Sequence, residues 1–166
     1  MKRMLGAAAA CLIATAFGIG AANAQTSTTP QDLDVSITIT NSCSVSNVVP
    51  VAFGSHGSLA SEVTAAGSVD VNCTTDLPYE VALDAGDGTG ATISNRLMTG
   101  PDDETIAYSL FKDDLHTEVW GDEEAALLEG TGTGVAVTHT IYGRVGSQTT
   151  PVAGAYSDTV AVVVSY

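Results

Sequence analysis

Three kinds of side chain in this sequence could do chemistry: cysteines at 11, 43 and 73, histidines at 56, 116 and 139, and acids grouped at 84–88, 102–104 and 122–124. A hydrolase would need Ser, His and Asp brought together in space. The three histidines are far apart in sequence, and no nucleophile motif such as G-x-S-x-G occurs. His56 sits among Gly and Ser, so a loop is expected. His139 falls on the same strand side as Val135 and Val137, so partial burial is expected. Asp84-Ala85-Gly86-Asp87-Gly88 resembles a fragment of a calcium loop, but the closing Glu of such a loop is absent. It reads as a solvated turn. Asp102, Asp103, Glu104, Asp122, Glu123 and Glu124 read as loop acids that keep the protein soluble. Trp120, between Val119 and Gly121, reads as a core or strand-end anchor rather than a sugar-stacking platform. No residue is assigned to catalysis, to a cofactor or to a metal, and the chain is not read as an enzyme.

The cysteines point to a compartment. Lys2 and Arg3 precede an apolar run from Leu5 to Gly20, followed by Ala22-Asn23-Ala24. This is the pattern of a secretory signal, with cleavage expected after Ala24. The run is short for a membrane span and lacks a stop-transfer flank, and no later segment approaches its length, so no span is expected in the mature chain. Lipidation at Cys11 would need a lipobox, yet Ala8, Ala9 and Ala10 precede it and the apolar run continues past it. Removing residues 1–24 leaves Cys43 and Cys73. In an oxidising compartment two thiols in a small domain usually pair. The alternative, a metal held by two lone cysteines, has no nearby His.

One domain is expected from 166 residues. After signal removal three basic residues (Arg96, Lys112, Arg144) face 19 acids, a net charge of −16. Nucleic acid is excluded as a partner, because phosphate binding needs clustered Lys and Arg. A polybasic attachment to anionic lipid is excluded for the same reason. Hydrophobic residues at 45% against 14% charged residues separate the chain from charge-driven disorder.

Strand patterns fill the mature chain. Leu33–Thr40 alternates strictly, with Leu33, Val35, Ile37 and Ile39 on one side. Short β-like pieces follow at 43–45 and 51–53, broken by Asn47 and Pro50. Further strands are expected at 68–73, 79–83, 106–111 and 135–142. The last runs from about Tyr156 to Tyr166, one face being Tyr156, Asp158, Val160, Val162, Val164 and Tyr166. Only Glu123–Leu128 looks helical, for at most two turns. Short strands separated by Gly, Pro, Asn and Asp indicate a β-sandwich.

Leu33–Thr40 is the anomaly. It is the strongest alternating segment, yet it lies beside a polar tail (25–32) and ahead of the first mature cysteine. Burying its four aliphatic side chains would contribute roughly 6–12 kcal/mol before entropy costs. Left in water it would be an aggregation-prone edge. Its face must be covered by its own sandwich or by another molecule's.

A series of motifs then carries a family resemblance: NSCSV around Cys43, VAFG with Phe53 and Gly54, VDVNC followed by Thr74, PYEVAL (78–83), NRLM (95–98), AYSLFKD (107–113), VWG (119–121), IYGRV (141–145) and GAYSDTVAVVVSY (154–166). In this order they resemble the spore coat protein U domain family, which includes subunits of archaic (Csu-type) chaperone–usher pili. The resemblance implies an all-β, incomplete immunoglobulin-like β-sandwich that lacks its last strand and is completed by donor-strand complementation. A periplasmic chaperone would lend the missing strand, and at the outer-membrane usher the N-terminal strand of a neighbouring pilin subunit would replace it. A head-to-tail contact of this kind does not close, so it builds a homo- or heteropolymeric fibre.

On this reading residues 1–24 are the signal, 25–41 an N-terminal extension with the donor strand, and 42–166 the pilin-like domain. Leu33, Val35, Ile37 and Ile39 are the donor side chains, and Cys43 and Cys73 tie two strands. Val160, Val162, Val164 and Tyr166 lie at the acceptor groove or in the core beside it, and Tyr166 is where the family's chaperone would anchor a C-terminal carboxylate. The sequence pattern also shows an apolar last strand with no partner strand after it. The expected role is a structural subunit of a surface pilus that supports adhesion and biofilm formation, passing through the periplasm to the cell surface. A spore-coat or other surface structural protein, and a secreted monomeric carbohydrate- or ion-binding module, are the alternatives.

Overall fold

Alternation of buried and exposed side chains organises the chain from Cys43 onward. The computed structural model describes residues 27–166; the expected signal segment, with Lys2, Arg3 and Cys11, lies outside the described residues. The chain divides between Ile37 and Thr38. Among the described residues of the first unit none is paired in a sheet.

The second unit is all-β. Its strands are β1 (Cys43–Val49), β2 (Val63–Cys73), β3 (Pro78–Leu83), β4 (Arg96–Thr99), β5 (Thr105–Phe111), β6 (Leu128–Thr131), β7 (Ala136–Val145) and β8 (Val162–Ser165). They form a five-stranded sheet, β1-β2-β7-β5-β4, and a three-stranded sheet, β6-β3-β8, with every pairing antiparallel. The sheets make a sandwich-like arrangement. Val69, Val71, Leu110 and Ile141 of the larger sheet and Tyr79, Val81 and Leu83 of the smaller are buried in one core with Trp120. In a strand every second side chain faces the same way, so these alternating positions are what the pleat delivers to the interior.

Polar ties cross the core. The Trp120 indole N–H donates to the Val81 carbonyl at 2.8 Å, while its backbone N–H donates to Leu110 at 2.9 Å. Trp120 is thus the core anchor that its setting suggests. Arg96 of β4 is fully buried and donates to the carbonyls of Leu83, Asp84, Ile93 and Trp120. A buried guanidinium holds its place only when its N–H groups find acceptors, and here four backbone carbonyls supply them.

Three expectations are corrected. The last strand is shorter than the 156–166 that alternation suggests: β8 holds only Val162–Ser165, with a lone bridge from Ser157 to Thr99 ahead of it. Glu123–Leu128 is not a helix: a single 3-10 turn spans Glu124–Ala126, and Leu128 opens β6 opposite Val81. Six residues are too few to repay helix nucleation without tertiary support, and here sheet pairing claims the last of them. Residues 51–53 form no strand, whereas β1 runs on through Asn47, with a shift of register between Ser46 and Val49. Pro50 has no N–H for a ladder and ends the pairing there. Past it the chain leaves β1 and crosses the inner side of the larger sheet. Gly67 and Gly143 make the crossing possible. A Cβ on Gly67 would fall against the Val49 carbonyl and 2.9 Å from Val51, and one on Gly143 would meet Val51 and, at 2.9 Å, Phe53.

Candidate functional site

The crossing segment forms one wall of a groove of about 1000 Å³. Val51 and Phe53 line that wall, and the segment leading into β8, with Asp158, Val160 and Val162, lines the other. Tyr108, Leu110, Ile141 and Val145 form the floor, all of them buried core residues. The groove lies in the sandwich where cover is incomplete. Val45 and Val71 face each other in register, yet Val71 is 1% exposed and Val45 37%. Among the described residues β8 pairs only with β3, and β1 only with β2, so each has an edge without a ladder.

The wall that leads into β8 is fastened mainly by side chains. Ser157 and Thr99 exchange backbone hydrogen bonds at 2.9 and 3.1 Å. The Asp84 carboxylate accepts from the backbone N–H groups of Gly86 and Ala161, and that of Asp158 accepts from those of Asp87 and Thr159. Of the acids in the 84–88 turn, Asp84 is thus occupied in holding chain segments through its carboxylate, and Asp87 takes part through its backbone N–H. Among the described residues no group of three or more His, Cys, Asp or Glu is gathered as for a metal ion. The Tyr108 hydroxyl donates to the other Asp158 oxygen at 2.6 Å. Burial, reinforced by that carboxylate, pushes the Tyr108 phenol well above the usual tyrosine range, so it stays protonated and donates.

The residues singled out from sequence fall as follows. Leu33, Val35, Ile37 and Ile39 are 86%, 86%, 85% and 73% exposed, and none is in a ladder. A strand needs a partner to make one, so the alternating pattern alone produces no sheet. Cys43 and Cys73 stand opposite each other and are joined by a disulfide, which links β1 to β2 within the larger sheet. Next to it Thr74 holds the segment before β1. Its backbone N–H donates to the Ser42 carbonyl at 2.9 Å, and its hydroxyl accepts from the Ser42 N–H at 3.0 Å.

Val160, Val162 and Val164 are half-buried against the core, and the first two line the groove, while Ala161, Val163 and Ser165 face outward. Tyr166 lies apart from the groove, exposed beside a smaller cavity of about 710 Å³ with Tyr79 and Glu129. His139 is half-buried, with Nε2 2.8 Å from the Tyr79 hydroxyl, and His56 is exposed, its ring donating to the Phe53 carbonyl at 2.7 Å. Phe53, Tyr108 and Asp158 were not expected as groove residues. The last two are 50 residues apart and carry no local signal of their pairing.

The sequence model of the spore coat protein U domain matches residues 29–163. The chain belongs to the spore coat protein U domain family. This member is similar in fold to a subunit in the crystal structure of the CsuC–CsuE chaperone–tip adhesion subunit pre-assembly complex, from archaic chaperone–usher Csu pili of Acinetobacter baumannii. The identity is 22%, the TM-score is 0.55, and the match covers 78% of this chain and 41% of that one. A chaperone–tip adhesin complex of CFA/I fimbriae matches at 14% identity and TM-score 0.36, over 70% of this chain and 38% of the other. The chain therefore spans less than half the length of either solved chain. No curated protein sequence matches it. Among the described residues no helix is long and apolar enough to cross a membrane.

Proposed function

We propose that this spore coat protein U domain is a structural subunit of a surface pilus, assembled by a chaperone–usher pathway through donor-strand exchange. Residues 1–24 direct export and are removed. In the periplasm a chaperone strand occupies the groove. At the outer-membrane usher, Leu33–Thr40 of a neighbouring subunit replaces it and pairs with the vacant edge of β8. The groove residues that receive it include Val160 and Val162, with Val164 in the adjoining core. The resulting fibre supports adhesion and biofilm formation as a property of the polymer. No step of this role calls for catalysis.

One observation carries the proposal: the sequence holds both an exposed, strictly alternating aliphatic face and an open groove with an apolar floor beside an unladdered strand edge. Strand addition uses main-chain bonds for affinity and alternate side chains for fit, and these are the two halves of such a contact. The groove floor of Tyr108, Leu110, Ile141 and Val145 carries no charged side chain, so it matches the aliphatic face of residues 33–39, while Asp34 lies on the other face of that strand.

The test is a fusion in which Leu33–Thr40 is moved from its native place to follow Tyr166 through a flexible linker. The expected product is a soluble monomer with a markedly raised melting temperature. A product that gains no stability sinks the proposal.

A further inference from the structure

Tyr108 touches both walls of the groove. Its ring meets that of Phe53 edge to face, with centroids 6.3 Å apart, and its hydroxyl donates to Asp158 on the opposite wall at 2.6 Å. Tyr108 itself is 6% exposed and stands on β5, a strand paired on both sides, by β4 and β7. Neither wall has comparable sheet support at this level: residues 51–53 are outside any ladder, and the segment before β8 hangs on the Thr99–Ser157 bridge, one backbone bond from Asp84 to Ala161 and two carboxylates. An apolar slot without an occupant tends to close on itself, because closure buries its lining. A fixed residue that binds one wall through its ring and the other through its hydroxyl opposes that closure.

We propose that Tyr108 is a positioning residue, a strut that holds the two walls of the empty groove at the separation an incoming strand needs. This rests on the donor-strand reading and adds to it how the acceptor is kept ready. Pre-organisation lowers the cost of binding by removing rearrangement from the encounter step. The strut therefore acts on how fast a strand enters. Once a strand is seated, its own hydrogen bonds and side chains keep the walls apart, so the strut has little further effect on how slowly it leaves.

The experiment measures uptake of a fluorescein-labelled peptide with the sequence of residues 33–40 by the chain 25–166 carrying Ile37→Asp, which keeps its own copies of that strand out of the groove, using fluorescence anisotropy in stopped-flow and dissociation modes. Tyr108→Phe keeps the ring contact and removes the tie to Asp158; Phe53→Leu removes the ring contact and keeps the tie. Each is expected to slow association about tenfold while dissociation of the seated peptide changes less than twofold. Association as fast in both variants as in the parent overturns the strut. So does a loss expressed in dissociation alone, or equally in both rates, because an ordinary packing role gives that result. If the parent chain takes up no peptide, the donor-strand reading itself falls, a result distinct from the other two.

Discussion

Arg96 donates an N–H to the carbonyl of Trp120 at 2.8 Å, and neither residue is exposed to solvent. The same guanidinium reaches the carbonyls that end β3, so one side chain of the larger sheet fastens the smaller one. Arg96→Met would fill similar space and leave four carbonyls short of a donor, those of Leu83 and Trp120 buried and those of Asp84 and Ile93 partly so. Orphaned buried acceptors cost about 1–3 kcal/mol each, partly recovered by water. The expected loss is on the order of 3–5 kcal/mol, read from the urea midpoint of the variant.

The Cys43–Cys73 disulfide closes a loop with a sequence separation of 30. The chain-entropy model values such a loop at roughly 3.5 kcal/mol. Cys43→Ala with Cys73→Ala should lower stability by about 2–4 kcal/mol, measured against the parent by chemical denaturation without reductant.

His139 gives a pH dependence. Burial lowers its pKa below the ordinary 6.5, opposed by the nearby Asp70 carboxylate. The neutral ring shares a hydrogen bond with the Tyr79 hydroxyl in the fold, while the unfolded chain takes a proton near the ordinary value. The unfolded state therefore binds more protons as pH falls below about 6.5, and stability drops until the folded-state pKa is passed. Urea midpoints should decline from pH 7.5 to 5.5 in the parent. In His139→Gln, which can still hydrogen-bond Tyr79 but does not titrate, this part of the slope should vanish.

Gly67→Ala tests the crossing that builds the groove wall. The new methyl would lie against the Val49 carbonyl, a backbone atom that cannot rotate away. Overpacking of this kind costs about 1–3 kcal/mol. The variant should lose that much stability in thermal unfolding and take up the 33–40 peptide more slowly.

On the proposed role, Ile37→Asp places a charge on the exposed aliphatic face without touching the core of the sandwich. SDS-resistant ladders should disappear from the variant on gels of unheated samples and persist in Asp34→Asn, whose change falls on the other face.

Alternation made the long strands readable. Val69, Val71 and Cys73, then Tyr79, Val81 and Leu83, are buried at the spacing a pleat requires; Tyr156 to Val164 keeps one inward face too, but only Val162–Ser165 of it is laddered. The short strands were not readable. Arg96–Thr99 and Leu128–Thr131 are four residues each with little pattern of their own, and they are strands because β5 and β3 pair with them. The Leu128 end of a helix-like run was misread for this reason. The donor-like face of Leu33–Ile39 was legible because it is local. The groove was not, because it depends on contacts between Val51 and Gly143, and between Tyr108 and Asp158, that no local spacing announces.

The fastening at Ser42 has a mechanical consequence. A pull on residues ahead of Thr40 arrives first at the two hydrogen bonds that the Thr74 backbone N–H and hydroxyl make with the Ser42 backbone, then at the covalent cross-link one residue further on. Tension is passed to β2, which is laddered on both sides, instead of peeling β1 from the margin of the sheet one bond at a time. The sandwich is thus loaded through its interior, the route by which a thread of such units could be stretched without its beads unravelling.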